Sequence, residues 1–417
     1  MTSVLSFRVM DVCRSCQTVC PVEVLNLGAQ TPSNLFLSEP DQFYATHEMR
    51  FGFCPACGLA QLIEPPAARS VRSPHPWLAY NEPESHLDDL VSRLLRKVDI
   101  SAGLEVLGVT YKDDSTLARL ERANNVRCQR LRLDADLDIH DPQAGLETVQ
   151  AQLVPSRAKL IREARGECDI LVARHLLEHV HEPLMFLNAC QILTKPGGIM
   201  VFEVPDCSKM LKGLDHCFLW EEHIVYFNEL TLKGFFEQAG LLENEILVYP
   251  NSMEDSLVAI VVNTVAAGAA REPTPQGIAE LRRFGEGFHE RAGLLQRYLE
   301  SFTQSGKTAA MFGAGHLTHK FINYYGLQTF LKCVIDDNQN KQGMYMPGSR
   351  LQVLPASKLR PASIDLCILG LNPESEAKVL QSRHEYLAPA GRFMSAFSSS
   401  SISINLALTH GPVGKSK

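Results

Sequence analysis

Two Cys-x-x-Cys knuckles, Cys13/Cys16 and Cys54/Cys57, stand about forty residues apart near the N-terminus and constrain the fold more tightly than any other feature of the chain. Four thiolates carried on two tight turns can close a tetrahedron around one Zn2+, and two loops with no core of their own are then held together by the ion. All four positions are filled by protein. No place is left for an activated water, so the spacing predicts a structural rather than a catalytic zinc site, with Cys13, Cys16, Cys54 and Cys57 as ligands. The competing reading is two unrelated buried or disulfide-linked pairs. Cys20 lies outside both knuckles and reads as a packed thiol.

At 417 residues the chain is too long for one core of ordinary size and predicts two or three domains. Its 45% hydrophobic and 21% charged residues describe an ordinary globular protein, and a net charge of -7 without Lys/Arg clusters lacks the footprint of nucleic-acid binding. No long uncharged apolar run and no leader-like N-terminus are visible, so no membrane partner and a cytoplasmic location are expected. Twelve cysteines spread over the whole length, four of them at metal spacing, suit a reducing compartment.

Four segments follow along the chain: a zinc-binding module over 1–80, an α/β domain over 81–265, a helical connector over 266–302 and a second α/β domain over 303–405. Strand-like pieces at 50–54 and 59–63 accompany the second knuckle, and a Pro-rich exit follows. An amphipathic helix is predicted over 87–98. Apolar runs at 104–109, 170–173 and 199–204, separated by helical stretches, read as a βαβ series on a parallel sheet. Runs at 309–312, 332–335 and 366–369 restart the alternation. The expected fold class is α/β, two doubly wound Rossmann-like domains preceded by a small zinc-binding module, with a disordered Gly/Lys tail at the end of the segment from Ser398.

The ordered set of motifs resembles the three-domain bacterial sugar C-methyltransferases. The zinc module is similar at the two knuckles, at Gly58-Leu59 and at Trp77-Leu-Ala-Tyr80-Asn81. The central domain is matched by His175-Leu-Leu-Glu-His179, by Pro196-Gly-Gly ahead of Phe202-Glu-Val-Pro205, and by Trp220-Glu-Glu-His223 leading to Tyr226-Phe227. The last domain is matched by Phe312-Gly313-Ala-Gly315 and by Ile335-Asp-Asp-Asn338. The resemblance covers nearly the full chain. It implies structural zinc, S-adenosylmethionine as cofactor and a nucleotide-linked keto-deoxysugar or similar small metabolite as substrate. By the same resemblance Tyr80, Thr110, Asp113 and His175 are expected at the cofactor.

Methylating a carbon next to a ketone requires a base for the α-proton, stabilisation of the enolate, and a methyl group held in line with the new carbanion. Histidine titrates near neutrality and suits the first task. His223 is expected as base, Glu222 as its partner or a sugar ligand, and His179 as a polarising or relay group. The family has a tyrosine where Trp220 stands, which removes a phenol from the expected substrate site. In the last domain, Gly313 and Gly315 after an apolar strand read either as a shortened phosphate-binding turn or merely as a tight strand-to-helix turn, and in the first case His316 and Asn338 are expected at neighbouring strand ends as sugar-nucleotide ligands.

Three departures from the family pattern stand out. Thr110 and Asp114 occupy positions of cofactor-loop glycines, Arg132 falls where an acidic ribose ligand is expected unless Asp134 or Asp136 supplies it, and Met253-Glu254 replace small residues. They leave an alternative reading: a methyltransferase-like protein that has lost S-adenosylmethionine and acts as another sugar-nucleotide enzyme or a binding subunit.

Overall fold

The computed structural model describes residues 12–75, 77–78, 82–141, 144–264, 266–268, 271–387 and 391–410. Tyr80, expected at the cofactor, lies outside them.

Residues of the zinc-bearing segment form three antiparallel strands, β1 (Val22–Gln30), β2 (His47–Phe53) and β3 (Ala60–Leu62). β2 and β3 fall where the strand-like pieces were expected. β1 was not anticipated, because two register irregularities against β2 break its alternation and blur the period-two signal.

The central sheet carries β4 (Leu104–Gly108), β5 (Val126–Arg130), β6 (Cys168–Arg174) and β7 (Thr194–Pro205), all mutually parallel. β8 (Val225–Tyr226) leaves this region and pairs antiparallel with β3, so the first sheet takes its fourth strand from the middle of the chain. β9 (Asn244–Tyr249) and β10 (Ser256–Val262) return as an antiparallel edge, giving the order β5-β4-β6-β7-β10-β9. Between β5 and β6 the described residues carry two helices, Leu146–Gln152 and Pro155–Arg165, and no strand. The sheet therefore ends at β5, and the first of these helices is free to contribute to the site.

The helix Leu87–Lys97 buries Leu87, Leu90, Val91 and Leu94, a 3-4 spacing that lays one stripe on Val106, Ile170 and Val201. Each such leucine contributes about 1.5–3 kcal/mol of burial. The predicted connector is a helix over Pro275–Gln304 of about 45 Å. Pro275 suits its first turn, and the Thr274 hydroxyl accepts the Gly277 N–H at 3.1 Å.

Five parallel strands then build a second wound sheet: β11 (Ala309–Phe312), β12 (Leu331–Ile335), β13 (Val353–Leu354), β14 (Leu366–Leu369) and β15 (Arg392–Ser395), in the order β13-β12-β11-β14-β15. The described part of the tail differs from the expected disorder. Ser398 donates to Asp215, and Ile404–His410 is helical with Ile404 fully buried.

The zinc-bearing sheet wedges between the two wound units. Cys13, Cys54 and Leu59 join the core with Leu171, Phe202 and Leu257, while Phe51 and Phe53 pack with Phe284, Met311 and Tyr325 of the other. Buried ion pairs cross the same junction, Lys320 with Glu221 and Arg291 with Asp215 at 3.0 Å.

Candidate active site

The knuckle sulfurs converge as expected. Cys13 and Cys57 Sγ lie 3.6 Å apart, Cys16 and Cys54 Sγ 3.5 Å, and all four fall within 4.8 Å of one another. Sulfurs bound to zinc at about 2.3 Å stand slightly under 4 Å apart at tetrahedral angles, so the set fits the ion. Gln61 Nε2 and the Ser15 N–H donate to Cys13 Sγ, both at 3.4 Å. Such donors orient the ligand and temper its charge. Gly58 closes the second knuckle at φ +78°, a left-handed conformation that favours glycine. Cys20 is exposed and outside the set.

A cavity of about 630 Å3 opens at the carboxyl ends of β4 and β6, where the three units meet. Its walls come from Arg72, Ser73, His75, Leu78 and Glu82, the turn after β4, the helix Leu146–Gln152, the turn after β6 and the loop Trp220–His223. Glu254, His316 and Asn372 complete it. Of the residues expected from the sequence, His175, His179, Trp220, Glu222, His223 and His316 line this space.

His223 faces His179 edge-on, ring centroids 4.9 Å apart, and lies 4.9 Å from the Trp220 indole. Burial and the nearby His316 hold its ring down to about 3, so it is neutral. Burial and His223 depress His179 well below the ordinary histidine value, and its ring bonds to the Glu222 carbonyl. Trp220 stacks on His316 at 4.5 Å, and its indole N–H donates to Ser33 Oγ at 3.1 Å. Ser33 in turn donates to Glu221, which pairs with Lys320.

The expected partnership of His223 with Glu222 is corrected by the geometry. Glu222 turns toward Asn34, whose side-chain amide donates to it at 2.7 Å, and toward Glu147. Burial and the Glu147 carboxyl push Glu222 well above the carboxylate range. The carboxyl beside His223 is instead Glu178, within 4.8 Å of the rings of His179 and His223. It stands inside the His175-to-His179 motif, where its three-residue spacing from His175 was the available signal. Glu147, from the helix after β5, carried none.

His175 closes β6 at φ +47°, an uncommon conformation for a non-glycine residue. Burial lowers its pKa, but Glu82 and Glu203 outweigh that and raise it to about 10, so the ring is an imidazolium. Arg174 beside it donates to Glu203 at 2.5 Å and to the Lys112 carbonyl at 2.8 Å. Lys112 pairs with Glu82 at 2.7 Å. A buried network thus ties the 82–86 segment to the ends of β6 and β7.

Thr110 and Asp113 lie beneath the cavity rather than in it. The Asp113 carboxylate accepts the N–H groups of Val109, Thr110 and Arg174, and Thr110 caps the turn Tyr111–Asp113. In the last unit, Gly313 adopts φ +94°, a conformation that favours glycine, and a Cβ there would also meet the Leu371 side chain at 2.4 Å. The Ala314 N–H in that turn is already taken by Asp336 at 2.6 Å, so an acidic side chain stands where an anion was expected. Gly313, Gly315 and Asn338 do not line the cavity; Asn338 caps its own loop by accepting from Asn340.

Three family models match in chain order: a zinc binding domain over 13–69, a methyltransferase domain over 87–242 and a C-methyltransferase C-terminal domain over 258–397. The chain belongs to the three-domain C-methyltransferases. This C-methyltransferase family member is 31% identical over 64 residues to the ubiquinone biosynthesis O-methyltransferase of Acinetobacter baumannii (strain AYE), covering 15% of this chain and 27% of that protein. The figures for the same enzyme of Paraburkholderia xenovorans (strain LB400) are 35% over 65 residues, 16% and 27%. The chain spans about a quarter of the length of these curated relatives. Among solved structures it is similar to the N-methyltransferase NodS from Bradyrhizobium japonicum WM9 in complex with S-adenosyl-L-homocysteine (17% identity, 47% of this chain, 95% of that chain, TM-score 0.28). It is also similar to the CurJ carbon methyltransferase (13% identity, 43% of this chain, 53% of that chain, TM-score 0.28).

Such a family member implies S-adenosylmethionine, and the two ends of that donor would meet different surroundings. Glu178 Oε2 is buried without a partner beside the cavity, and Glu82, Glu147 and Glu254 share its wall. This acidic wall fits a sulfonium and an ammonium. At the ribose end, Arg130 closes β5 and pairs with Asp114 across the gap. Asp134 pairs with Arg132 and Asp136 with Arg165, so neither candidate carboxylate turns to the cavity.

Proposed function

We propose that the protein transfers a methyl group from S-adenosylmethionine to a carbon next to the carbonyl of a small keto metabolite, with a nucleotide-linked keto-deoxysugar as the substrate class. The carrying observation is a neutral imidazole, His223, set between a carboxyl and a second imidazole in the cavity at the carboxyl ends of the central strands. The donor supplies, when bound, a methyl group on a sulfonium sulfur that leaves as a thioether.

His223 takes the α-proton on its free lone pair, and the C–H electrons pass into the enolate. The low basicity of the buried ring is offset by the ionised carboxylates of Glu82 and Glu221, which favour the imidazolium. His179, oriented by the Glu222 carbonyl, holds the second face. Trp220 carries no hydroxyl and contributes a wall, locked by His316 and Ser33. Glu178 and Glu82 would hold the cationic end of the donor, and Lys112, at the turn after β4, its carboxylate.

The test is incubation of zinc-loaded protein with S-adenosylmethionine and a panel of nucleotide-linked 4-keto-6-deoxysugars. A product heavier by one methylene is expected for one of them, together with solvent deuterium entering the α-position in wild type and not in His223→Asn. The Asp114–Arg130 pair favours a second reading, a sugar-nucleotide protein without the donor. Calorimetry separates the two, since heat on adding S-adenosylhomocysteine supports the first and its absence at millimolar ligand supports the second.

A further inference from the structure

Glu147, His179 and Glu222 bring three metal-competent atoms within 4.8 Å of one another on one side of the cavity. They reach it from separate elements: the helix after β5, the turn after β6 and the loop before β8. Two features set this group apart from a chance acidic cluster. His179 is only 5% exposed, yet its Nδ1 has no hydrogen-bond partner and points at Glu147 Oε1 from 3.5 Å. Glu147 and Glu222 face each other as neighbouring carboxyls, and Asn34 supplies a donor to Glu222 from behind.

A buried carboxyl and a partly buried one in contact are not stable as two bare anions, so a proton or a cation lies between them. An aimed, unpartnered imidazole nitrogen at the same point favours the cation, because a shared proton gives that nitrogen no partner. We propose that Glu147, His179 and Glu222 bind a divalent transition-metal ion, distinct from the cysteine-bound zinc. Ligands at about 2.1 Å from such an ion stand about 3.5 Å apart at near-tetrahedral angles, which is the spacing already present between His179 and Glu147. One imidazole with two carboxylates suits Mn2+, Zn2+ or Fe2+ better than a soft ion. Asn34 is then the positioning residue that orients a ligand carboxylate.

The site adjoins His223, across the edge-on contact with His179. Resting on the C-methylation reading, the ion is the Lewis acid that polarises the substrate carbonyl, a task the indole of Trp220 cannot perform.

The experiment needs no substrate, so it stands or falls apart from that reading. Full-length protein with its zinc equivalent in place is titrated with Mn2+ and followed by the loss of the free-ion electron paramagnetic resonance signal. One further equivalent per chain is expected at micromolar ion, at least about tenfold weaker in Glu147→Gln and Glu222→Gln, with the zinc equivalent retained. Asn34→Ala should weaken Mn2+ less than either ligand variant. If wild-type protein takes up no Mn2+ at millimolar ion, or if both glutamine variants bind as wild type does while circular dichroism shows them folded, the site does not exist.

Discussion

Trp220 and His316 stack with centroids 4.5 Å apart and planes 15° from parallel, although one belongs to the loop before β8 and the other begins a helix of the last unit. This contact places the two wound sheets on opposite sides of one cavity and sets the wall against which His223 lies. An indole offers a larger stacking face than a phenol, and its N–H reaches Ser33 of the zinc-bearing unit.

Replacing Trp220 by Phe keeps a ring against His316 and removes the bond to Ser33. The loss expected is about 1 kcal/mol, read from the urea midpoint. Trp220→Ala should cost several times more; equal costs for the two would deny the stacking its part.

Lys320 and Glu221 are both fully buried and pair across the junction. Lys320→Met leaves an uncompensated carboxylate and is expected to destabilise by roughly 3–5 kcal/mol. Adding Glu221→Gln should recover a large part of that, and a double-mutant cycle in urea measures the coupling.

Removing zinc by chelation, or one ligand by Cys54→Ser, should release the first sheet and with it the edge that receives β8. Both tryptophans report on this, since Trp77 stacks on His75 and Trp220 bonds to Ser33. A red-shifted, quenched emission that reverses on adding Zn2+ is expected. Unchanged emission after complete zinc loss would show that the sheet stands without its ion.

Stability should decline at alkaline pH. His175 is raised from 6.5 to about 10, so its contribution is complete below pH 6.5 and disappears as pH rises through 10. Glu254 is raised from 4.5 to about 8 by burial, which adds to the same decline above pH 4.5. Urea midpoints between pH 6 and 10 should fall for wild type and fall less for His175→Asn and Glu254→Gln. Parallel slopes for all three would contradict the assignment.

His223→Asn should lower methyl transfer by about 10²–10⁴-fold while leaving the melting temperature near that of wild type. Glu178→Gln should lower it as well, whereas Asn338→Ala, remote from the cavity, should not. The comparison is made on initial rates with the substrate found by the panel.

Much of this protein is written locally. Cys13, Cys16, Cys54 and Cys57 specify a metal tetrahedron through spacing alone, and runs such as Leu366–Leu369 specify buried strands because a segment fully apolar on both faces has nowhere else to go. Motif histidines could be assigned to a cavity for a similar reason, as residues at the carboxyl ends of parallel strands meet there whatever the loops do. Which side chain faces which was decided only in three dimensions. Glu222 follows a register set by β8 pairing with β3, which turns it to Asn34 and Glu147 and leaves Glu178 for His223. Ala314 is filled by Asp336 because the ends of β11 and β12 lie side by side. Sequence order carries periodicity and spacing, whereas long-range electrostatic partnership depends on distances that exist only after three separate units have packed.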